Sequence, residues 1–133
     1  MLASMSDPAI ARFLAARAFA VAGASSDRAK FGNRVLRHYH AHGRDVVAIH
    51  PRETAIEGIP AYSELARVPT TPEAVSIVTP PAITARIVDD ALALGIALLW
   101  MQPGAESPDA IRRALDRGAE VIHGGPCVLV ELR

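Results

Sequence analysis

Cysteine is almost absent from this chain: Cys127 is the one thiol in 133 residues. That excludes an internal disulfide framework and a cysteine metal cluster, and it fits a reducing compartment, with the cytoplasm as the expected location. Charge of one sign is lacking as well, because 14 Lys and Arg balance 14 Asp and Glu. With no net field to attract a polyanion, neither nucleic acid nor an anionic membrane is an expected partner, and any anion must be met by local groups. Long apolar runs are missing too. Asp7, Arg12 and Arg17 interrupt the apolar positions near the start, so no secretory leader is expected. No run approaches the ~20 residues of a membrane span, and the chain reads as soluble. What remains is a length suited to one domain over residues 1–133, half of it hydrophobic. A chain of this size buries roughly two thirds of the surface its unfolded form exposes.

The apolar residues alternate between two patterns. Asp7-Pro8 reads as a cap with proline at the first helical position, followed by Ile10, Phe13 and Leu14 at helical spacing up to Arg17. Apolar strands are expected at about 18–22, 45–49, 74–78, 96–101 and 119–122, several stopped by proline or glycine. Between them lie helical patterns. Val35, Leu36 and Tyr39 share one face of the first, which closes at Gly43. Thr79 is expected to cap a helix from Pro80 to Leu94 with Ile83, Ile87 and Ala91 as its buried stripe. Ser107-Pro108 caps another, carrying Ile111, Ala114 and Leu115 to Gly118. Residues 51–72 contain only a short edge segment at 59–62 and one helical turn at 63–66, and the tail at 127–130 is ambiguous. Five strands, none strictly alternating and most separated by helices, predict a doubly wound α/β fold. Its mainly parallel, five-stranded Rossmann-like sheet carries helices on both faces.

In such sheets ligands bind beyond the carboxyl ends of the strands, where the winding reverses. The loops that matter then begin at Gly23, His50, Thr79, Gln102 and His123. The first is the richest. Gly23 lets backbone approach a phosphate, Ser25 and Ser26 offer hydroxyls, and Arg28, Lys30 and Arg34 supply charge. A second glycine, Gly32, opens the next helix, whose first amides are oriented toward an anion. Neither a tight G-x-G-x-x-G nor a lysine after a second glycine is present, so no standard dinucleotide or P-loop fingerprint is met. The plain structural alternative is that any strand-to-helix unit needs a glycine and a cap here.

The end of the second strand separates cofactors. An NAD site places an acid there for the ribose hydroxyls, whereas this chain has His50-Pro51-Arg52. Asp45 lies at the other end of that strand, roughly 15 Å away at about 3.3 Å per residue. Arg52 suits a phosphate on an adenosine ribose, as in NADP or coenzyme A, or else is a solvated surface arginine. Pro51 and the pair Pro80-Pro81 suit the walls of an adenine pocket, though prolines after strands often simply end them.

Several short motifs occur together in order: Gly23-Ala24-Ser25 with the later Gly32, His50-Pro51, Thr79-Pro80-Pro81, Leu99-Trp100-Met101-Gln102-Pro103-Gly104 and Gly124-Gly125-Pro126-Cys127. Over about 18–130 this arrangement resembles the small stand-alone CoA-binding proteins, whose domain is similar to the CoA-binding domain of the succinyl-CoA synthetase α subunit. The resemblance implies a Rossmann-like domain that binds coenzyme A or an acyl-CoA. Gly23, Ala24, Ser25 and the helix start at Phe31 and Gly32 would hold the pyrophosphate, with Lys30 in reach of a phosphate. Pro51 and Arg52 would meet the adenosine, Thr79 and Pro80 would line the other side of the cleft, and Gln102, Pro103 and Gly104 would shape the rim toward the pantetheine. Nothing in the chain matches the phosphohistidine loop or nucleotide-grasping domain of the synthetases, so ligase activity is not implied.

Other chemistry is thinly supported. His38 and His42, four residues apart, lack a third ligand for a closed zinc site. Cys127 reads either as a small core residue or as a thiol able to form a mixed disulfide with CoA. No catalytic residue stands out. The expectation is a CoA-binding carrier, sensor or regulatory module. The alternatives are an NADP-dependent oxidoreductase using Tyr62 or His123 as an acid, and an interaction protein that has lost its ligand.

Overall fold

The computed structural model describes residues 7–133. In chain order its elements are α1 (Pro8–Leu14), β1 (Phe19–Ala22), α2 (Phe31–Ala41), β2 (Val46–Ile49), β3 (Ala55–Ile56) and β4 (Ile59–Tyr62). There follow a 3₁₀ turn (Leu65–Arg67), β5 (Ala74–Ile77), α3 (Pro81–Ala93), β6 (Leu98–Met101), α4 (Pro108–Asp116), β7 (Glu120–Ile122) and α5 (Val128–Glu131). The sheet order is β3-β4-β2-β1-β5-β6-β7, parallel throughout except for the antiparallel β3–β4 hairpin at one edge.

The sheet therefore has seven strands where five are expected from the apolar runs. The two additions come from the stretch read as an edge segment and a turn. Residues 59–62 do form a strand, pairing in parallel with β2, and a two-residue β3 folds back on it. The connecting turn places Glu57 at φ 54° and Gly58 at φ 76°, both left-handed, which is the backbone of a tight hairpin. The tail settles as α5, tied down by His38 Nε2, which donates to the Leu132 carbonyl at 2.7 Å.

Each face of the sheet is covered, which is why the central strands are apolar at every position but Ser76. Phe19 and Val21 belong to one core layer with α1, α2 and α5, while Ala20 and Ala22 belong to the other with α3, α4 and the 3₁₀ turn. Large aromatics fill the first layer: Phe13 meets Trp100 edge-on at 5.2 Å and Phe19 stacks on Tyr39 at 4.9 Å. Burial raises the Tyr39 pKa well above that of a free phenol, and its hydroxyl instead shares a 2.6 Å hydrogen bond with Ser76 in the sheet centre.

Helix ends follow the expected caps in two of three cases. Asp7 accepts from the Ala9 amide at 2.9 Å, and Ser107 accepts from the Ala110 amide at 3.3 Å. Helix α1 stops at Leu14, short of Arg17. Thr79 does not cap α3: Pro80 occupies the N-cap position, and the Thr79 hydroxyl is hydrogen-bonded to that of Thr84 at 2.8 Å. The α3 stripe also differs. Its buried face is Thr84, Val88 and Ala91, whereas Ile83 is 42% exposed. On α4, Ala110 and Ala114 are buried but Leu115 is 55% exposed.

From β1 the chain winds outward through β2, then returns to β5 on the other side of β1 and continues to β6 and β7. The reversal lies between β1 and β5, so a crevice opens above their carboxyl ends.

Candidate functional site

Two glycines shape this crevice. Gly23, with φ 92°, follows β1 directly, and a side chain there would meet the Val78 carbonyl oxygen at 2.7 Å and the Thr79 methyl at 3.0 Å. A Cβ on Gly32 would overlap the Gly23 carbonyl oxygen itself. Only glycine at both positions lets the start of α2 sit on the loop, and the loop on β5. The close helix-to-strand approach of a dinucleotide site is thus reached with a spacing of nine residues.

Asn33 locks the loop in place. It is fully buried, and its amide nitrogen donates to the Ser25 carbonyl at 2.8 Å and to Glu57 Oε2 at 3.0 Å. Its amide oxygen accepts from Arg37 Nε at 2.6 Å. Glu57, held out on the β3–β4 turn, also lies 3.7 Å from Arg28. Within the loop the Ser25 hydroxyl accepts from the Asp27 amide at 3.1 Å, and Asp27 accepts from the Ala29 amide at 3.0 Å. Helix α2 begins after Lys30 with no side-chain cap. Its first amides are therefore free to meet an anion, and the helix dipole favours negative charge there.

Two cavities flank Thr79. The larger, about 550 Å³, lies on the α3 side and is floored by Gly23, Ala24 and Thr79. Ile49, Pro51, Ile83 and Ile87 form its walls, and Ser63, Glu64, Arg86 and Asp90 bring polar groups to it. Its size is within the range of small-molecule sites. The smaller, about 280 Å³, lies on the α2 side between Phe31, Val78, Thr79, Pro80, Pro103, Gly104 and Ala105, with no ionisable side chain in its lining.

Most of the residues expected from sequence converge here. Gly23, Ala24, Pro51 and Thr79 line the larger cavity, Phe31, Pro80, Pro103 and Gly104 line the smaller, and Gly32 supports both. Ser25, Ser26 and Lys30 continue the loop outward from Ala24 toward α2. Arg52 is exposed on the turn after β2 and does not line the cleft; that turn is fixed by His50 Nδ1, which accepts from the Arg52 and Glu53 amides at 3.0 Å each. Two expected residues lie elsewhere. Gln102 is fully buried: its oxygen accepts from the Val128 amide at 2.9 Å and its nitrogen reaches Ser76 at 3.5 Å, so it anchors the tail rather than the rim. Arg34 projects with Arg37 and His38 into a separate cavity on the outer face of α2.

The groups that sequence reasoning missed are Asn33, Glu57, Ile83, Glu64, Arg86 and Asp90. The spacing 83, 86, 87, 90 marks one helical face, and that i, i+3, i+4, i+7 pattern of mixed isoleucines and charges was the available signal. Asp90 titrates above the ordinary aspartate range. Burial is the main cause, the Glu64 charge adds to it, and Arg86 opposes it.

The remaining candidates are occupied structurally. His42 Nδ1 donates to the His38 carbonyl at 2.8 Å, so both histidines serve the helix end and the tail. Cys127 is half-buried at the start of α5, beside Pro126, whose carbonyl accepts from Trp100 Nε1 at 3.0 Å. No described helix is long and apolar enough to cross a membrane.

Comparison with known proteins shows the fold and the family. A conserved hypothetical protein from Pyrococcus furiosus is 33% identical over 86% of this chain and 98% of its own, with a TM-score of 0.81. A hypothetical protein from Pyrococcus horikoshii OT3 shares the fold at 24% identity, covering 92% of this chain and 86% of its own, with a TM-score of 0.86. The dinucleotide-forming acetyl-coenzyme A synthetase 1 of Ca. Korarchaeum cryptofilum, in its apo form, is 27% identical over 79% of this chain, with a TM-score of 0.70. This chain spans only 25% of that synthetase. No curated protein matches. The sequence profile of the CoA binding domain matches residues 17–133, and the chain belongs to that family.

Proposed function

We propose that this protein binds coenzyme A or an acyl-CoA across the β1–β5 crevice and acts as a carrier, sensor or regulatory module without ligase chemistry of its own. The observation that carries the reading is the pair of unlike cavities that meet at Thr79, beside the Gly23 loop. Coenzyme A has a charged nucleotide half and a longer, less polar pantetheine half. The adenosine takes the larger cavity between Pro51 and the isoleucines of α3. The pyrophosphate lies on Gly23, Ala24, Ser25 and the open amides of Phe31 and Gly32. Lys30 supplies a mobile cation from the loop, and Arg52 stands on the turn beside the adenosine end, in reach of its ribose phosphate. The pantetheine then runs past Thr79 and Pro80 toward Phe31, Pro103 and Gly104. The cytoplasm is the proposed location, in keeping with the single free thiol.

Thermal melts of nucleotide-free protein test this. Ligand that binds only the native state raises the melting temperature by mass action. CoA at about 100 times its Kd is expected to raise Tm on the order of 10 °C, and dephospho-CoA and NADP less. A larger shift with NADP than with CoA would favour an oxidoreductase. No shift with any of the three would leave an interaction protein that has lost its ligand.

A further inference from the structure

The larger cavity is uneven in charge. Gly23, Ala24, Pro51 and the isoleucines leave it apolar over most of its surface, while Glu64, Arg86 and Asp90 bring two carboxylates and one guanidinium to its lining. Arg86 and Asp90 are four residues apart on α3, the spacing at which opposite charges usually pair. Among the described residues, neither makes a direct hydrogen bond or ion pair, and Glu64 has only a loose contact with Arg67 at 3.8 Å. Their donors and acceptors are open to the cavity and to solvent.

A surplus of negative charge repels a phosphate, so this group of residues does not face the ribose phosphate or the pyrophosphate. It suits a neutral part of the ligand that offers hydrogen-bond donors. Polar groups placed sparsely in an apolar site fix orientation and selectivity in this way.

Building on the coenzyme A reading, we infer that Glu64 and Asp90 select the base, accepting the exocyclic amine of adenine while Arg86 donates to a ring nitrogen. Ile83 and Ile87 pack against one side of the purine and Pro51 against the other. The residues lie on two separate elements, the loop after β4 and the face of α3, so the base is gripped only when both are in place.

The test compares CoA with its analogue in which the adenine amino group is replaced by hydrogen, by titration calorimetry. Wild-type protein is expected to bind CoA about tenfold more tightly than the analogue, the scale of one charge-assisted hydrogen bond partly shared with water. In Glu64→Ala/Asp90→Ala protein the two affinities are expected to converge, through loss of CoA affinity alone. Both residues are accessible, so the variant is expected to fold, and an unchanged far-ultraviolet spectrum and melting profile checks that. If wild type does not distinguish the two ligands, or if the variant keeps the tenfold preference, the assignment of Glu64 and Asp90 is overturned while CoA binding stands. If wild type binds neither ligand, the coenzyme A reading fails and the assignment with it.

Discussion

The two cavities share Thr79 but little else. The one on the α3 side is about 550 Å³ and carries charge, while the one on the α2 side is about 280 Å³ and is walled by an aromatic ring, prolines and aliphatic groups. A dinucleotide such as NADP presents a polar nucleotide at each end and gains little from the second. The pantetheine half of coenzyme A can use it, because its methyl groups and methylenes gain free energy by leaving water. The asymmetry of the crevice therefore says more about ligand class than the glycine loop does, since a glycine loop serves every phosphate-bearing cofactor alike.

The largest effect is expected at Gly32, which packs under the Gly23–Ala24 loop of the larger cavity and adjoins Phe31 of the smaller. Gly32→Ala forces a methyl group into the Gly23 carbonyl, a backbone atom with no freedom to move aside. It is expected to cost about 3 kcal/mol and to remove binding at both cavities together. Denaturant unfolding and a CoA titration measure the two effects, and a variant as stable as wild type would refute the packing argument. The halves are next separated by Ile83→Ser and Phe31→Ala. Ile83 is 42% exposed, so its loss is expected to leave stability nearly unchanged while weakening CoA and adenosine 3′,5′-bisphosphate equally, by about tenfold. Phe31→Ala is expected to weaken CoA by a similar factor and leave the bisphosphate unaffected. Equal losses of both ligands in both variants would erase the distinction.

The smallest effect is in pH dependence. Asp90 titrates above its ordinary value in the folded protein, chiefly through burial and then through Glu64, so the fold favours its neutral form. A carboxyl raised in this direction contributes stability that is present below its unfolded pKa, near 3.8, and is lost as pH rises through the higher folded value. Asp90→Asn is thus expected to gain on wild type between acid and neutral pH, by a small margin because the group is partly open to water. Parallel stability curves for the two proteins would show that Asp90 feels no such strain.

Much of this architecture is legible in the sequence because two-sided burial leaves little choice of residue. The apolar runs expected as strands at about 18–22, 45–49, 74–78 and 96–101 form strands at 19–22, 46–49, 74–77 and 98–101, and the glycines and prolines after them mark where the chain turns over the crevice. What escaped has physical causes. The β3 strand is two residues long, and its turn uses Glu57-Gly58 where Asn-Gly or Asp-Gly is the usual signal, so nothing in the pattern announced a hairpin. On α3, Ile83 and Ile87 satisfy helical spacing as well as the true core stripe does. Periodicity alone does not distinguish isoleucines facing a core from isoleucines facing a ligand cleft. Gln102 was expected at the rim of the cleft, whereas nothing in the sequence marked Asn33. The first lies in a glycine-proline loop yet is buried against Ser76 and Val128, and the second sits in an ordinary helical turn yet holds the loop to the hairpin. Long-range hydrogen bonds of that kind leave no trace in local sequence.

Hydrogen–deuterium exchange of the nucleotide-free protein, with and without saturating CoA, locates the ligand on the chain. Slower exchange is expected at residues 23–33, 49–52 and 79–90, with the outer face of α2 and the α1 surface unchanged. Protection confined to those outer faces, or none at all at saturating CoA, would contradict a coenzyme A site in the β1–β5 crevice.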